Sequence, residues 1–183
     1  ARNAVLVPSF EDPWIIEGQG SAAIEAAAQM SVQGLAPPTQ VLVPCGGGGL
    51  AAGTALALPD ATITAIEPEG WDDMRRSLEA GWIEPVGPNP PTTACDSLQT
   101  KEVSRLTFDV LSRRGVRGLA VSELEIDAAQ RWAARHPRIV VAPGGAVALA
   151  ALLAGKVEVA PGMLVMLSGG NVDPAAYAAV LAR

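Results

Sequence analysis

The stretch Gln40-Val41-Leu42-Val43-Pro44-Cys45-Gly46-Gly47-Gly48-Gly49-Leu50 decides the fold. Gln40 to Val43 reads as a short strand, and an Ala-rich helix is expected from about Leu50 to Leu58. Four glycines in a row lie between them, and glycine loses more backbone freedom on folding than any other residue. Without Cβ atoms, successive N–H groups can converge on one anion. The following helix adds its unpaired N–H groups and its positive dipole end. A phosphate is the natural guest, and a tight strand-to-helix turn is the plainer alternative.

The same rhythm extends outward in both directions. Upstream, Asn3 to Val7 reads as a strand and Asp12-Pro13 as a helix start. Gly18 and Gly20 interrupt before a longer helix begins at Ser21 and stops at Gly34. Downstream, strands are expected at Thr62 to Ile66, Gly118 to Val121, Ile139 to Val141 and, as a buried strand, Met163 to Leu167. Helices alternate with them: Asp72 to Ala80, Lys101 to Arg114, a stretch from Ser122 to about Arg135, Gly145 to Leu153, and a last one capped by Asp173-Pro174. Ser122 and Glu125 form a capping-box pattern, and residues 82–93, rich in Pro and Gly, read as loop. This alternation predicts an α/β fold, a parallel sheet covered on both faces as a three-layer sandwich. Ligands of such sheets bind beyond the carboxyl ends of the strands, which singles out loops 44–49, 67–73 and 168–173.

Composition narrows the function classes. A chain of 183 residues, 49% hydrophobic and 17% charged, is long enough for one domain with its own core and too apolar for disorder. Thirteen basic against nineteen acidic residues, a net charge of −6, argue against a nucleic-acid partner. No apolar run approaches the roughly 18 residues that span a bilayer. Ala1-Arg2-Asn3 does not open a signal peptide, and a cytoplasmic protein is expected. Cys45 and Cys95 are too few for a disulfide framework and too isolated for a zinc site.

The phosphate can be narrowed too. A Walker A loop would follow its last glycine with Lys-Ser/Thr, whereas Leu50 and Ala51 follow here. The dinucleotide fingerprint is met formally by Gly46-x-Gly48-x-x-Ala51, with Glu67 as a ribose ligand. A run of four glycines meets many spaced patterns, so this match alone is weak.

The segment VPCGGGGLAAG (43–53) resembles the phosphate loop of fold-type II pyridoxal-phosphate enzymes, the threonine/serine dehydratase and serine racemase group. Four more segments resemble that family in the expected order: Pro8 to Glu25, Thr92 to Thr100, Val140 to Leu153, and LSGGNVD from Leu167 to Asp173. The resemblance implies that residues 1–183 form the C-terminal portion of the family's pyridoxal 5'-phosphate-binding large domain. By the same likeness the activity is α,β-elimination of small hydroxy-amino acids to keto acids and ammonia. A racemase of the same family and a non-catalytic anion- or nucleotide-binding domain are the alternatives.

The resemblance assigns residues one by one. The backbone of Gly46, Gly47, Gly48, Gly49 and Leu50 would hold the cofactor phosphate, and the Ser168 hydroxyl would meet the pyridine nitrogen. Asp96 and Thr100 would face the substrate, and Phe10 would lie near the ring. Glu67, Trp71 and Asp73 match a divalent-metal site of part of the family, with hard oxygen donors suited to Mg²⁺ or Ca²⁺. Each assignment has a structural alternative. Ser168 can be a turn residue, Asp96 and Thr100 helix caps, Phe10 core, and Asp73 a favourable charge at a helix N-terminus. His136, the single histidine, and Cys45 read as structural.

Departures from the family pattern are equally informative. The family's catalytic lysine lies in a Ser/Thr-x-Lys-x-Arg-Gly segment; this chain has only Lys101 and Lys156, neither in such a context. Ala142 stands where dehydratases often carry glutamate. The expectation is therefore truncation: a chain without lyase activity alone, working as a homodimer or with a complementing N-terminal segment. Its substrate would be a small amino acid.

Overall fold

A computed structural model describes residues 5–183. Four parallel strands form one sheet in the order β3-β2-β1-β4: β1 is Gln40–Pro44, β2 Thr62–Pro68, β3 Arg117–Val121 and β4 Met163–Val165. Register runs from Gln40 opposite Thr62 on one side of β1 and opposite Met163 on the other. Alternating strand residues feed two cores. Leu42, Ile66 and Val121 pack under α6 (Glu123–Arg135) and α7 (Pro143–Leu153). Val41, Val43, Ile63 and Ala65 pack under α1 (Pro13–Gln19), α3 (Gly49–Ala57) and α5 (Arg105–Arg113). The expected α/β three-layer sandwich is what forms.

Local chemistry sets most helix ends. Asp12 accepts from the N–H groups of Trp14 and Ile15 and Pro13 opens α1. The helix then passes through Gly18, and the break falls at Gly20, before α2 (Ser21–Val32). Asp72 precedes α4 (Asp73–Ala80), which Gly81 ends at φ 82°. The Ser122–Glu125 capping box is fully formed at α6. Asp173 caps α8 (Pro174–Leu181).

Four sequence expectations change. Asn3 and Ala4 lie outside the described residues, and Val5 to Pro8 carry no strand; Val5 and Leu6 are 90% exposed. The helix expected from Lys101 starts at Arg105 because Ser104 caps it, while the Lys101 carbonyl accepts from Val86 N–H. Ile139 to Val141 is not a strand: Arg138 takes φ 58°, and the Val141 carbonyl accepts from Gln130 Nε2 at 2.8 Å instead of a ladder partner. β4 stops at Val165 and is half-buried, because it is an edge strand with a neighbour on one side only. Among the described residues no helix is long and apolar enough to cross a membrane.

Candidate functional site

Beyond the carboxyl ends of β1 and β4 lies a cavity of about 390 Å³. It is lined by Gly46, Gly47, Gly48, Gly49 and Leu50, by Asp96 and Thr100, by Phe10, and by Ser168. Residues drawn from four distant stretches thus meet at one place. Neither Lys101 nor Lys156 lines it; Lys156 is paired with Glu125 at 2.8 Å and donates to the Ala120 carbonyl.

The glycine loop is closely caged. A Cβ on Gly49 would come within 2.9 Å of Phe10 Cβ, and one on Gly47 would enter the Phe10 ring. One on Gly46 would meet Thr100 Oγ1 at 3.1 Å and Leu98 Cα at 3.2 Å. Gly48 has φ 89°, a left-handed conformation that side chains resist. The turn and anion readings of the four glycines are therefore compatible: the loop has no room for side chains, and its backbone forms the cavity wall.

Polar groups of the loop divide between the two sides. The Cys45 N–H donates to the Ile66 carbonyl at 2.8 Å, continuing the sheet ladder. The Gly47 carbonyl accepts from Thr107 Oγ1 and the Gly48 carbonyl from Ala52 N–H, both at 2.8 Å. Among the described residues no backbone group accepts the N–H of Gly46, Gly47 or Gly48. Donors without partners, at the start of a nine-residue helix, favour an anion. Of the described lining residues only Asp96 is charged, so attraction would come from backbone dipoles and not from a cationic side chain. This arrangement fits a phosphate.

The other assigned residues differ in how firmly they are held. Ser168 is exposed, on a segment backed by Ala142 N–H donating to the Gly169 carbonyl at 2.7 Å. Asp96 begins a 3₁₀ turn (Asp96–Leu98), and its Oδ1 accepts from Ser97 N–H at 2.8 Å. Thr100 is half-buried against Gly46. Cys45 is buried, and burial, with Glu67 and Asp73 nearby, drives its thiol well above its ordinary pKa, which leaves it a packing residue.

Glu67, Trp71 and Asp73 lie outside that cavity. Glu67 is fully buried, and its two carboxylate oxygens accept from Met74 N–H at 3.0 Å and Arg75 N–H at 2.7 Å, at the start of α4. That geometry overturns its reading as a ribose ligand, because an enclosed carboxylate committed to a helix start cannot reach a dinucleotide. Burial first, then the neighbouring Asp73, push Glu67 well above the usual carboxylate range. Burial likewise raises Asp73 to about 6, and Asp73 Oδ2 is buried without a hydrogen-bond partner. Trp71 Nε1 donates to the Pro91 carbonyl at 2.8 Å. Among the described residues no three His, Cys, Asp or Glu side chains converge as a metal cluster.

Sequence reading missed Thr107 and gave Leu98 no part. Thr107 lay hidden inside a helix expected to begin at Lys101; the Ser104-x-x-Thr107 pattern, a cap acting on its third residue, was the available signal.

A parallel α/β domain with an anion-ready glycine loop at its carboxyl edge defines a phosphate-cofactor class. The chain belongs to the pyridoxal-phosphate dependent enzyme family, whose pattern it matches over residues 1–169. It is 33% identical to an L-threo-3-hydroxyaspartate ammonia-lyase of Pseudomonas sp, over 96% of this chain and 54% of that protein. It is 32% identical to a serine racemase of Schizosaccharomyces pombe, over 97% of this chain and 54% of that protein. Among solved structures, a T.th. threonine deaminase superposes with a TM-score of 0.83 at 41% identity, over 90% of this chain and 61% of that one. The chain spans about half the length of the curated relatives it matches.

Proposed function

We propose that residues 1–183 are the phosphate-cradling large-domain portion of a pyridoxal-phosphate ammonia-lyase acting on small hydroxy-amino acids. The observation that carries this reading is the row of N–H groups without backbone partners from Gly46 to Gly48, residues that line a cavity together with Ser168, Asp96 and Thr100. The N–H groups of Gly46 to Leu50 bind the phosphate. The Ser168 hydroxyl hydrogen-bonds the ring nitrogen without the full charge a carboxylate would place there. Asp96 and Thr100 face the amino acid. When bound, pyridoxal phosphate supplies the electron-withdrawing ring that makes an amino acid's α-proton acidic. Neither lysine of this chain lines the cavity, so the same reading assigns the base to a complementing N-terminal segment or to a homodimer partner, in a cytoplasmic protein with no membrane or nucleic-acid partner.

Elimination and racemisation share the loss of the α-proton, and relatives of both kinds match this chain. Products separate them. The chain is to be combined with the separately expressed upstream half of the T.th. threonine deaminase and supplied with pyridoxal phosphate and L-threonine or L-serine. Sustained keto-acid and ammonia release by the mixture, and none by either piece, is expected. Release of D-serine alone favours the racemase, and release by the 183-residue chain alone defeats the need for a complementing lysine.

A divalent cation, Mg²⁺ or Ca²⁺, between Glu67, Asp73 and the Trp71 carbonyl belongs to the same reading. Its support is the partnerless buried Asp73 Oδ2 beside a second buried carboxylate, a pair that a cation would neutralise. Added Ca²⁺ is expected to raise the melting temperature of the chain, and Asp73→Asn to remove that response.

A further inference from the structure

A buried hydroxyl holds the glycine loop on its α5 side. Thr107, fully buried in the first turn of α5, donates from Oγ1 to the Gly47 carbonyl at 2.8 Å; its contact with the Ser104 carbonyl is longer, 3.2 Å. Ser104, the cap of α5, accepts from Thr107 N–H at 3.1 Å and sits 3.1 Å from Thr107 Oγ1. The two hydroxyls therefore form a relay: Ser104 Oγ donates to Thr107 Oγ1, which donates to the Gly47 carbonyl. Packing leaves little slack, since a Cβ on Gly48 would lie 3.0 Å from both Thr107 Cβ and Oγ1. A trans peptide is planar, with its carbonyl and the following N–H pointing in opposite directions, and the described residues contain no cis bond. Holding the Gly47 carbonyl toward α5 turns the Gly48 N–H the other way, toward the cavity.

We infer that Thr107 is a positioning residue that presents the Gly48 N–H to the phosphate before the ligand arrives. The inference rests on the phosphate reading of the cavity given above. A peptide between two glycines has little steric resistance to rotation, so without the hydroxyl it would have to be ordered on binding. Valine in place of Thr107 matches its shape, supplies no donor and leaves the Gly47 carbonyl buried and unpaired.

Pyridoxine 5'-phosphate and pyridoxine test this, because neither carries the aldehyde that bonds lysines. Equilibrium dialysis on the 183-residue chain measures how much the phosphate strengthens binding. Thr107→Val is expected to reduce that preference about tenfold, and Thr107→Ser to keep it within about twofold. Binding of pyridoxine itself should not change. A folded Thr107→Val chain that keeps the full preference overturns the positioning role and leaves the phosphate site standing. A parent chain with no preference overturns the phosphate site and the positioning role with it. A second measurement needs no variant: in the isotope-labelled parent chain, inorganic phosphate is expected to shift the Gly48 amide resonance. A Gly48 amide that stays still while the Gly46 and Gly47 amides move overturns the inference.

Discussion

Two glycine-containing loops leave the sheet on the same edge and are built differently. The loop after β1 leaves a central strand whose residues 41–44 are all buried, and it is walled by Phe10, Leu98, Thr100, Met74 and Thr107. The loop after β4 leaves a three-residue edge strand; residues 167–170 are exposed, and the segment from Val140 to Gly145 backs them. A Cβ on Gly48 would meet Met74 Cε at 2.7 Å, whereas one on Gly169 would find nothing nearer than 4.0 Å. Both are glycines after strands, but neighbouring strands and helices fix one loop and only one flank supports the other. Place in the sheet, more than the count of glycines, decides how firmly a loop is preorganised.

The comparison can be broken by substitution. Gly48→Ala combines a left-handed φ with a clash and is expected to cost about 2–4 kcal/mol, read as a lowered urea midpoint with an unchanged m-value. Gly169→Ala should fall within about 1 kcal/mol of the parent. Equal losses at the two sites would erase the distinction between the loops.

A second substitution probes the support of the weaker loop. Gln130 is 2% exposed and holds the Val141 carbonyl, while its own Oε1 lacks a partner. Gln130→Ala should cost about 1–3 kcal/mol through the orphaned carbonyl. It should also speed amide exchange at Ala142, whose N–H reaches Gly169, more than at the Cys45 amide behind the glycine loop.

The smallest effect lies outside both loops and calibrates them. Partial burial acts to raise the Glu125 pKa, but the hydrogen bonds from Lys156 and from Ser122 N–H outweigh it and hold the carboxylate below its ordinary value. Such a group stabilises the fold above its unfolded pKa, about 4.3 for glutamate, and loses that contribution as pH falls through the lower folded value. Glu125→Gln should therefore cost about 0.5 kcal/mol at pH 7, and the gap between parent and variant should close in acid.

How much was legible follows from the range of the contacts. Strand, glycine run and helix over 40–57 were readable because periodicity, turn residues and helix start are local signals. The triplet Ile139 to Val141 carried the same apolar signal and formed no strand, since pairing depends on a neighbour the triplet does not reveal. The residues that meet at the cavity were singled out through the family resemblance, but the cage around the loop was not legible. Phe10, Leu98, Thr100 and Thr107 reach the glycines across 37 to 60 residues of sequence. Glu67 was read formally as a ribose ligand; its hydrogen bonds to residues seven and eight positions on, at the start of α4, follow from how that helix docks.

The phosphate site itself is most directly tested by crystallising the chain with pyridoxal 5'-phosphate. The expected result is phosphate density within hydrogen-bonding distance of the N–H groups of Gly46 to Leu50, with the ring directed toward Ser168. Density for the phosphate elsewhere, with those amides left to solvent, would contradict it.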